Sequence, residues 1–152
     1  MKLTDIKQQP LTEASLSRVY RHVQNLSDWA VISAFRGELQ YEENMERHRN
    51  LKQEVRSLGY GFNELDGVWK NDDGEFEEER SLFIAEITRN EAFSLLRQFD
   101  QDAVVVPSQE HHGEAELLFP DGSSEHLGPF RANIIADVYS RLRGAPGSFT
   151  FQ

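Results

Sequence analysis

Histidines and carboxylates are the residues of this sequence with the most obvious chemical potential, and the five histidines come first. His111 and His112 are adjacent, so a strand would send them to opposite faces and a helix would make them diverge. Neither has a partner four residues on, and His126 belongs to a separate segment. His48 shares a helix face with Asn44, but the pair lacks a second strong ligand. The spacing therefore implies neither a metal site nor a cofactor. There is no cysteine, which excludes a disulfide framework, a thiolate nucleophile and cysteine-based zinc. No G-x-S-x-G elbow and no phosphate-binding glycine loop occurs. The carboxylates are many, yet no pair stands in an apolar setting that would split its pKa values for acid–base work. No catalytic residue is assigned on these grounds.

The acidic residues cluster. Asp72, Asp73, Glu75, Glu77, Glu78 and Glu79 form a run broken by Gly74 and Phe76, which reads first as a solvated hairpin tip. The alternative is a surface for a basic protein partner, made by Asp72, Asp73, Glu75, Glu77 and Glu78 around an aromatic anchor, Phe76. With 26 acidic against 16 basic residues the net charge is -10, which argues against direct nucleic-acid binding through phosphates. No apolar run approaches a membrane span, so no membrane partner is expected.

The elements that position these groups alternate. Asp28–Phe35 carries the apolar run Trp29-Ala30-Val31-Ile32 and reads as a buried strand. Tyr41–Leu58 has helical periodicity through Met45, His48, Leu51 or Lys52, Val55 and Leu58. Its acidic residues come early and its basic ones late, as the helix dipole favours, and Gly59 follows as a stop. Strands are expected over Tyr60–Trp69 and Arg80–Thr88, with a turn at Asn71–Gly74 between them. A helix capped by Asn90 follows, with the stripe Ala92, Phe93, Leu95, Leu96 and Phe99, and then a short strand over Ala103–Val106. This β-α-β-β-α-β order predicts an α+β fold on a single mixed or antiparallel sheet, ferredoxin-like or a related open sheet. The tail adds a hairpin, Glu114–Phe119 and Ser124–Leu127. Phe130, Ile134, Ile135, Val138 and Leu142 then predict a helix ending at Gly144. Ser148–Phe151 is an edge strand or a frayed end.

Several fragments resemble one pattern: Ile32-Ser33-Ala34-Phe35, Glu43-Asn44 with Arg47 and Leu51, Gly59-Tyr60, Gly67, Glu79 with Ser81-Leu82, and Phe99 through Val104. Their spacing is similar to that of an uncharacterised bacterial and phage family, a domain of unknown function, over residues 29–106. That family implies no activity. The resemblance marks polar residues at the ends of apolar elements: Ser33, Arg36, Asn44, Arg47, Gln101 and Asp102. Converging on one rim, they would suit hydrogen bonding to a polar ligand. The alternative is that they satisfy backbone groups and surface carboxylates.

At the N-terminus, Leu11-Thr12-Glu13 followed by Ala14 resembles the cleavage signal of capsid-targeting peptides in tailed-phage internal head proteins. It implies processing by a phage prohead protease at Leu11, Glu13 and Ala14, dividing the chain into a peptide 1–13 and one α+β domain 14–152. The helical stripe Leu16, Val19, Tyr20 and Val23 follows. The resulting reading is a non-catalytic accessory protein of the virion interior, released into host cytoplasm, that binds and inhibits a host defence factor. Two alternatives stand beside it: a nucleotide-binding module or nucleotide-modifying enzyme, and a structural head component.

Overall fold

The computed structural model describes residues 16–25, 27–134 and 136–152. Residues 16–24 form a first helix, α1. There follow β1 (Trp29–Ile32), α2 (Tyr41–Ser57), the hairpin β2 (Asn63–Lys70) and β3 (Phe76–Ala85), α3 (Arg89–Gln98) and β4 (Val104–Pro107). Four more strands complete the chain: β5 (Glu114–Leu118), β6 (Ser124–Ala132), β7 (Val138–Leu142) and β8 (Ser148–Phe151).

The eight strands close into a barrel in the order β1-β3-β2-β7-β8-β6-β5-β4, with β4 returning to β1. Every pairing is antiparallel. This corrects the expected open ferredoxin-like sheet. Beyond the first four strands the sheet continues, because the tail supplies staves rather than a helix. β6 runs through Phe130 to Ala132, the backbone turns at Asn133 with φ 55°, and Val138–Leu142 pairs with Leu65–Trp69 of β2. β8 lies between β6 and β7 and closes the wall. A closed wall leaves no bare strand edge, which an open sheet must protect by other means.

Alternation along each strand divides the apolar residues between two cores. Ala30, Ile32, Leu82, Ile84, Val104 and Val106 face outward and are covered by Leu51 and Val55 of α2 and by Ala92, Leu95 and Leu96 of α3. Trp29, Leu65, Phe83, Phe130, Leu142 and Phe149 face inward and fill one half of the barrel. There Trp29 is stacked between Phe83 and Phe151, with ring centroids 5.7 and 5.2 Å away. Val19 and Val23 of α1 join this inner core and close the end of the barrel at which β1 begins.

The two helices that cover the outer face are anchored differently. α3 is capped by Thr88, not Asn90. The Thr88 hydroxyl accepts a bond from the Glu91 amide at 3.1 Å, and the Glu91 carboxylate accepts one from the Thr88 amide at 3.2 Å. This reciprocal pair satisfies two of the amides that a helix start leaves without partners. α2 has no side-chain cap at Gln40 and is instead tied to the loop before it by Asn44 and Arg47. Among the described residues no helix is long and apolar enough to cross a membrane.

Candidate functional site

β1 ends at Ile32, and the chain crosses the open mouth of the barrel in a loop over residues 33–40. Asn44 holds this loop through Arg36: its Oδ1 accepts from the Arg36 amide at 2.8 Å, and its Nδ2 donates to the Arg36 carbonyl at 3.0 Å. Arg47 donates from Nε to the Ala34 carbonyl at 2.7 Å and from its guanidinium to the Phe99 carbonyl. Gln101 donates to the carbonyls of Phe35 and Phe99 at 3.2 and 3.1 Å. Asn44 ties the loop to α2, and Arg47 and Gln101 stitch it to the end of α3.

The stitching forms a recess of about 260 Å³ whose charged lining residues are Arg36, Glu38, Glu79, Asp100 and Asp102. Arg36 is the one cation among them, and it is already engaged by the carboxylates of Glu38 and Asp100 and by the Asp100 carbonyl. A second recess of about 380 Å³ lies against the same loop. It shares Phe35, Arg36 and Glu79 and adds the aromatic side chains of Tyr41 and Trp69.

Glu79 belongs to both recesses. It lies on β3 opposite Gly67 of β2, two positions before Ser81 and four before the inward-facing Phe83, so the pleat sends its side chain into the mouth. Gly67 packs against it: a Cβ there would meet the Glu79 Cγ at 3.7 Å, an ordinary van der Waals contact. Burial pushes the Glu79 carboxyl up to about 7; the Ser33 hydroxyl opposes the rise and the charge of Asp102 adds to it. At neutral pH the group is therefore balanced between its two forms, and a cation arriving beside it would hold it ionised.

Of the six polar residues marked by the sequence, Arg36, Gln101 and Asp102 line the acidic recess, and Ser33 stands next to Glu79. Asn44 borders the aromatic recess, while Arg47 serves backbone carbonyls. Ser33 also donates to the Arg80 carbonyl at 2.7 Å. The acidic run has no uniform fate. Asp73 accepts from the Glu75 amide within the tip, Glu78 pairs with Arg141 at 2.5 Å, and Phe76 is exposed with the Lys70 ammonium over its ring. Asp72 and Glu75 are exposed at the turn, and Glu77 borders the aromatic recess. Glu79 is the candidate site residue that the sequence analysis did not assign: it was quoted in the family pattern and otherwise counted with this run. Its inward parity with Ser81 and Phe83 was the available signal. Leu11, Glu13 and Ala14 lie outside the described residues. The rings of His111 and His126 lie 4.5 Å apart, tilted by 54°, with His126 bonded to Glu114, and among the described residues no group of three ligating side chains could hold a metal ion.

A comparison with protein-family models decides the relationship. Residues 30–145 match the S-Adenosylmethionine lyase family. The chain belongs to that family. The matched span runs from the second residue of β1 to the turn after β7, so it takes in both recesses and seven of the eight strands. No curated protein matches the chain.

Membership in a lyase family corrects three expectations from the sequence. The resemblance over residues 29–106 to a family without an activity gives way to a match that covers the same residues and extends through the tail. The non-catalytic reading also falls, since the family is of an enzyme type. So does the reading as a packaged inhibitor of host defence, which rested on the N-terminal junction and the lack of a catalytic motif. The carboxylates that matter are drawn together by tertiary structure from β3 and two loops, and such a site leaves no contiguous motif.

Proposed function

We propose that this protein is a lyase acting on S-adenosylmethionine at the barrel mouth. Such a lyase breaks a carbon–sulfur bond without consuming water: sulfur keeps the bonding pair, and the carbon it leaves takes a pair from the same substrate, from a carboxylate oxygen that closes a ring or from an adjacent C–H bond whose proton passes to solvent. The sulfonium leaves as a neutral thioether. The observation that carries the reading is Glu79, a half-buried carboxyl with a pKa of about 7 in a recess whose one guanidinium is already paired. That recess is suited to a cation.

S-adenosylmethionine offers two cations, the α-ammonium and the sulfonium, and only the ammonium survives the reaction. A carboxylate held against sulfur would stabilise the ground state more than the transition state, in which the sulfur charge fades, and would slow cleavage. Glu79 is therefore assigned to the ammonium, with Asp102 beside it. Ser33 orients the Glu79 carboxyl. Asn44, Arg47 and Gln101 act as positioning residues that hold the loop, and Arg36 keeps Glu38 and Asp100 in place.

Incubation of the purified protein with S-adenosylmethionine in ¹⁸O-labelled water tests this. A thioether nucleoside should form, the amino-acid fragment first released with it should carry no label (hydrolysis would place one there), and Glu79→Gln should lower kcat/KM by about 100-fold or more, the scale of a lost charge-assisted contact to the reacting substrate. An unchanged substrate after prolonged incubation with the wild type would overturn the proposal.

A further inference from the structure

The outer face of β3, β2 and β7 carries a cluster of cations that the mouth does not use. Leu82 faces outward while Leu65 and Leu142 face inward, so the pleat turns Arg80, Asp66 and Arg141 to the outside. The register sets Asp66 opposite Arg80 on one side and opposite Arg141 on the other. Arg143, just past β7, reaches the same carboxylate: its Nη1 donates to Oδ1 and Oδ2 of Asp66 at 3.0 and 3.1 Å. Nε of Arg80 and Nη2 of Arg141 lie 3.4 and 3.5 Å from the Asp66 oxygens. Three guanidiniums therefore converge on one carboxylate.

The Asp66 side chain is 11% exposed, against 45% and 40% for Arg141 and Arg143, so the carboxylate lies beneath and the cations form the outer layer. Asp66 cancels one of their three charges. Glu78, which also borders the aromatic recess, cancels a second through Arg141, but its own side chain is 54% exposed. Glu64 on the same strand as Asp66 is taken by His48 and Lys52. One positive charge is left over here, on a chain whose net charge is -10. Crowded guanidiniums repel one another, and each carries a planar fork of N–H donors that a shared carboxylate does not saturate. A tetrahedral oxyanion supplies both what the repulsion and the donors call for, negative charge and acceptors pointing to several sides.

We propose that Arg80, Arg141 and Arg143 form a binding site for a phosphate group, on the outside of the barrel and independent of the chemistry at its mouth. The phosphate seats over Asp66 and takes the place of Glu78 at Arg141. Asp66 holds the three cations together in the free protein, and its charge beneath the site limits the affinity. Because the cluster draws on β3, β2 and β7, the bound group also braces the seam between β2 and β7.

Calorimetric titration of the full chain at low ionic strength, with inorganic phosphate and with glycerol 3-phosphate, tests this. The wild type should bind saturably at one site. Arg141→Gln should weaken binding by about tenfold or more, the scale of a lost hydrogen bond to a charged group. Arg143 still neutralises Asp66 in that variant. Arg141→Lys, which keeps the charge without the fork, is the milder second variant and should bind more weakly than wild type but better than Arg141→Gln. Glu78→Gln removes the competing carboxylate and should tighten binding. Arg97→Gln, exposed on α3 and outside the cluster, should leave it unchanged. Equal affinity for the two probes assigns the site to the free ion, and tighter binding of glycerol 3-phosphate assigns it to a phosphate monoester; both support the site. A wild type without saturable binding of either probe would overturn it and leave the network a strut. So would wild-type affinity in both Arg141 variants, weaker binding in Glu78→Gln, or an equal loss in Arg97→Gln. No cleavage enters the measurement, so its failure leaves the lyase reading untouched.

Discussion

Asn44 embraces the peptide unit of Arg36, accepting from its amide at 2.8 Å and donating to its carbonyl at 3.0 Å. One side chain on the first turn of α2 thus satisfies both backbone groups of a loop residue that has no strand or helix to do so. Arg36 in turn carries Glu38 and Asp100, so the clamp propagates to the lining of the acidic recess.

Replacing Asn44 by Ala leaves the Arg36 amide without its partner and the Arg36 carbonyl with only the Leu39 amide, 3.1 Å away. Loss of a buried partner costs about 1–3 kcal/mol. Asn44→Ala should lower stability in urea melts by that order and reduce kcat/KM for S-adenosylmethionine. Asn44→Asp, which keeps the acceptor but not the donor, should fall between. A variant equal to wild type in both measurements would show that the loop is held by other contacts.

Glu79 makes stability depend on pH in a definite direction. Its carboxyl is raised from 4.5 to about 7 in the fold, so between those values the native state binds more protons than the unfolded chain. Its contribution to stability is greatest at acid pH and declines as pH rises through this window. Glu79→Gln should flatten the stability profile there and be the more stable protein, relative to wild type, above pH 7. In catalysis the dependence runs the other way. The ionised form pairs with the substrate ammonium, so wild-type kcat/KM should climb with pH to a plateau above about 7. A rate profile without that limb would refute the role.

His48 acts on the acid side. It is fully buried on α2, bonded through Nε2 to Glu64 at 2.9 Å, and among the described residues its Nδ1 has no partner. Burial lowers its pKa below 6.5, against the pull of Glu64; Lys52 and Arg80 also face it and add to the lowering. The unfolded chain takes up this proton first, so stability is lost as pH falls from 6.5 through the native value. His48→Gln keeps a donor for Glu64 and removes the titration. Its urea midpoint should fall less than that of wild type between pH 6.5 and 4.5, and parallel profiles would count against the assignment.

The start of α3 can be tested without touching the mouth. Thr88→Ala breaks the reciprocal cap and should cost about 0.5–2 kcal/mol, seen as a lower urea midpoint with KM for S-adenosylmethionine unchanged.

These predictions depend on elements that were unequally legible. α2 lies where Met45, His48, Leu51 and Val55 place it, since a long amphipathic stripe has one reading. Phe130, Ile134, Ile135, Val138 and Leu142 also fall at helical spacing, yet Phe130 stands on β6 and Val138 and Leu142 on β7. Short apolar runs satisfy periods of 2 and 3.6 alike, and the wall of a barrel decided between them. Gly144 and Pro146, taken as a helix stop, belong to the turn from β7 to β8. For the site, Ser33, Arg36, Gln101 and Asp102 were visible as polar residues at element ends. Glu79 was not, because its burial comes from Ser33, Asp102 and the mouth of a closed sheet, none of which is near it in sequence.

The closure of the wall also governs how the chain reaches it. β2 and β7 pair Leu65 with Leu142 and Trp69 with Val138, residues far apart in sequence, and the β2–β3 hairpin has no such span to cross. Loop-closure entropy must be met before distant pairings return any stabilisation. The hairpin and the two outer helices should therefore assemble early and the β2–β7 seam late, with β2 exposing a bare edge in the interval. Refolding should be slow for the chain's size, and aggregation during it should track the lifetime of that edge.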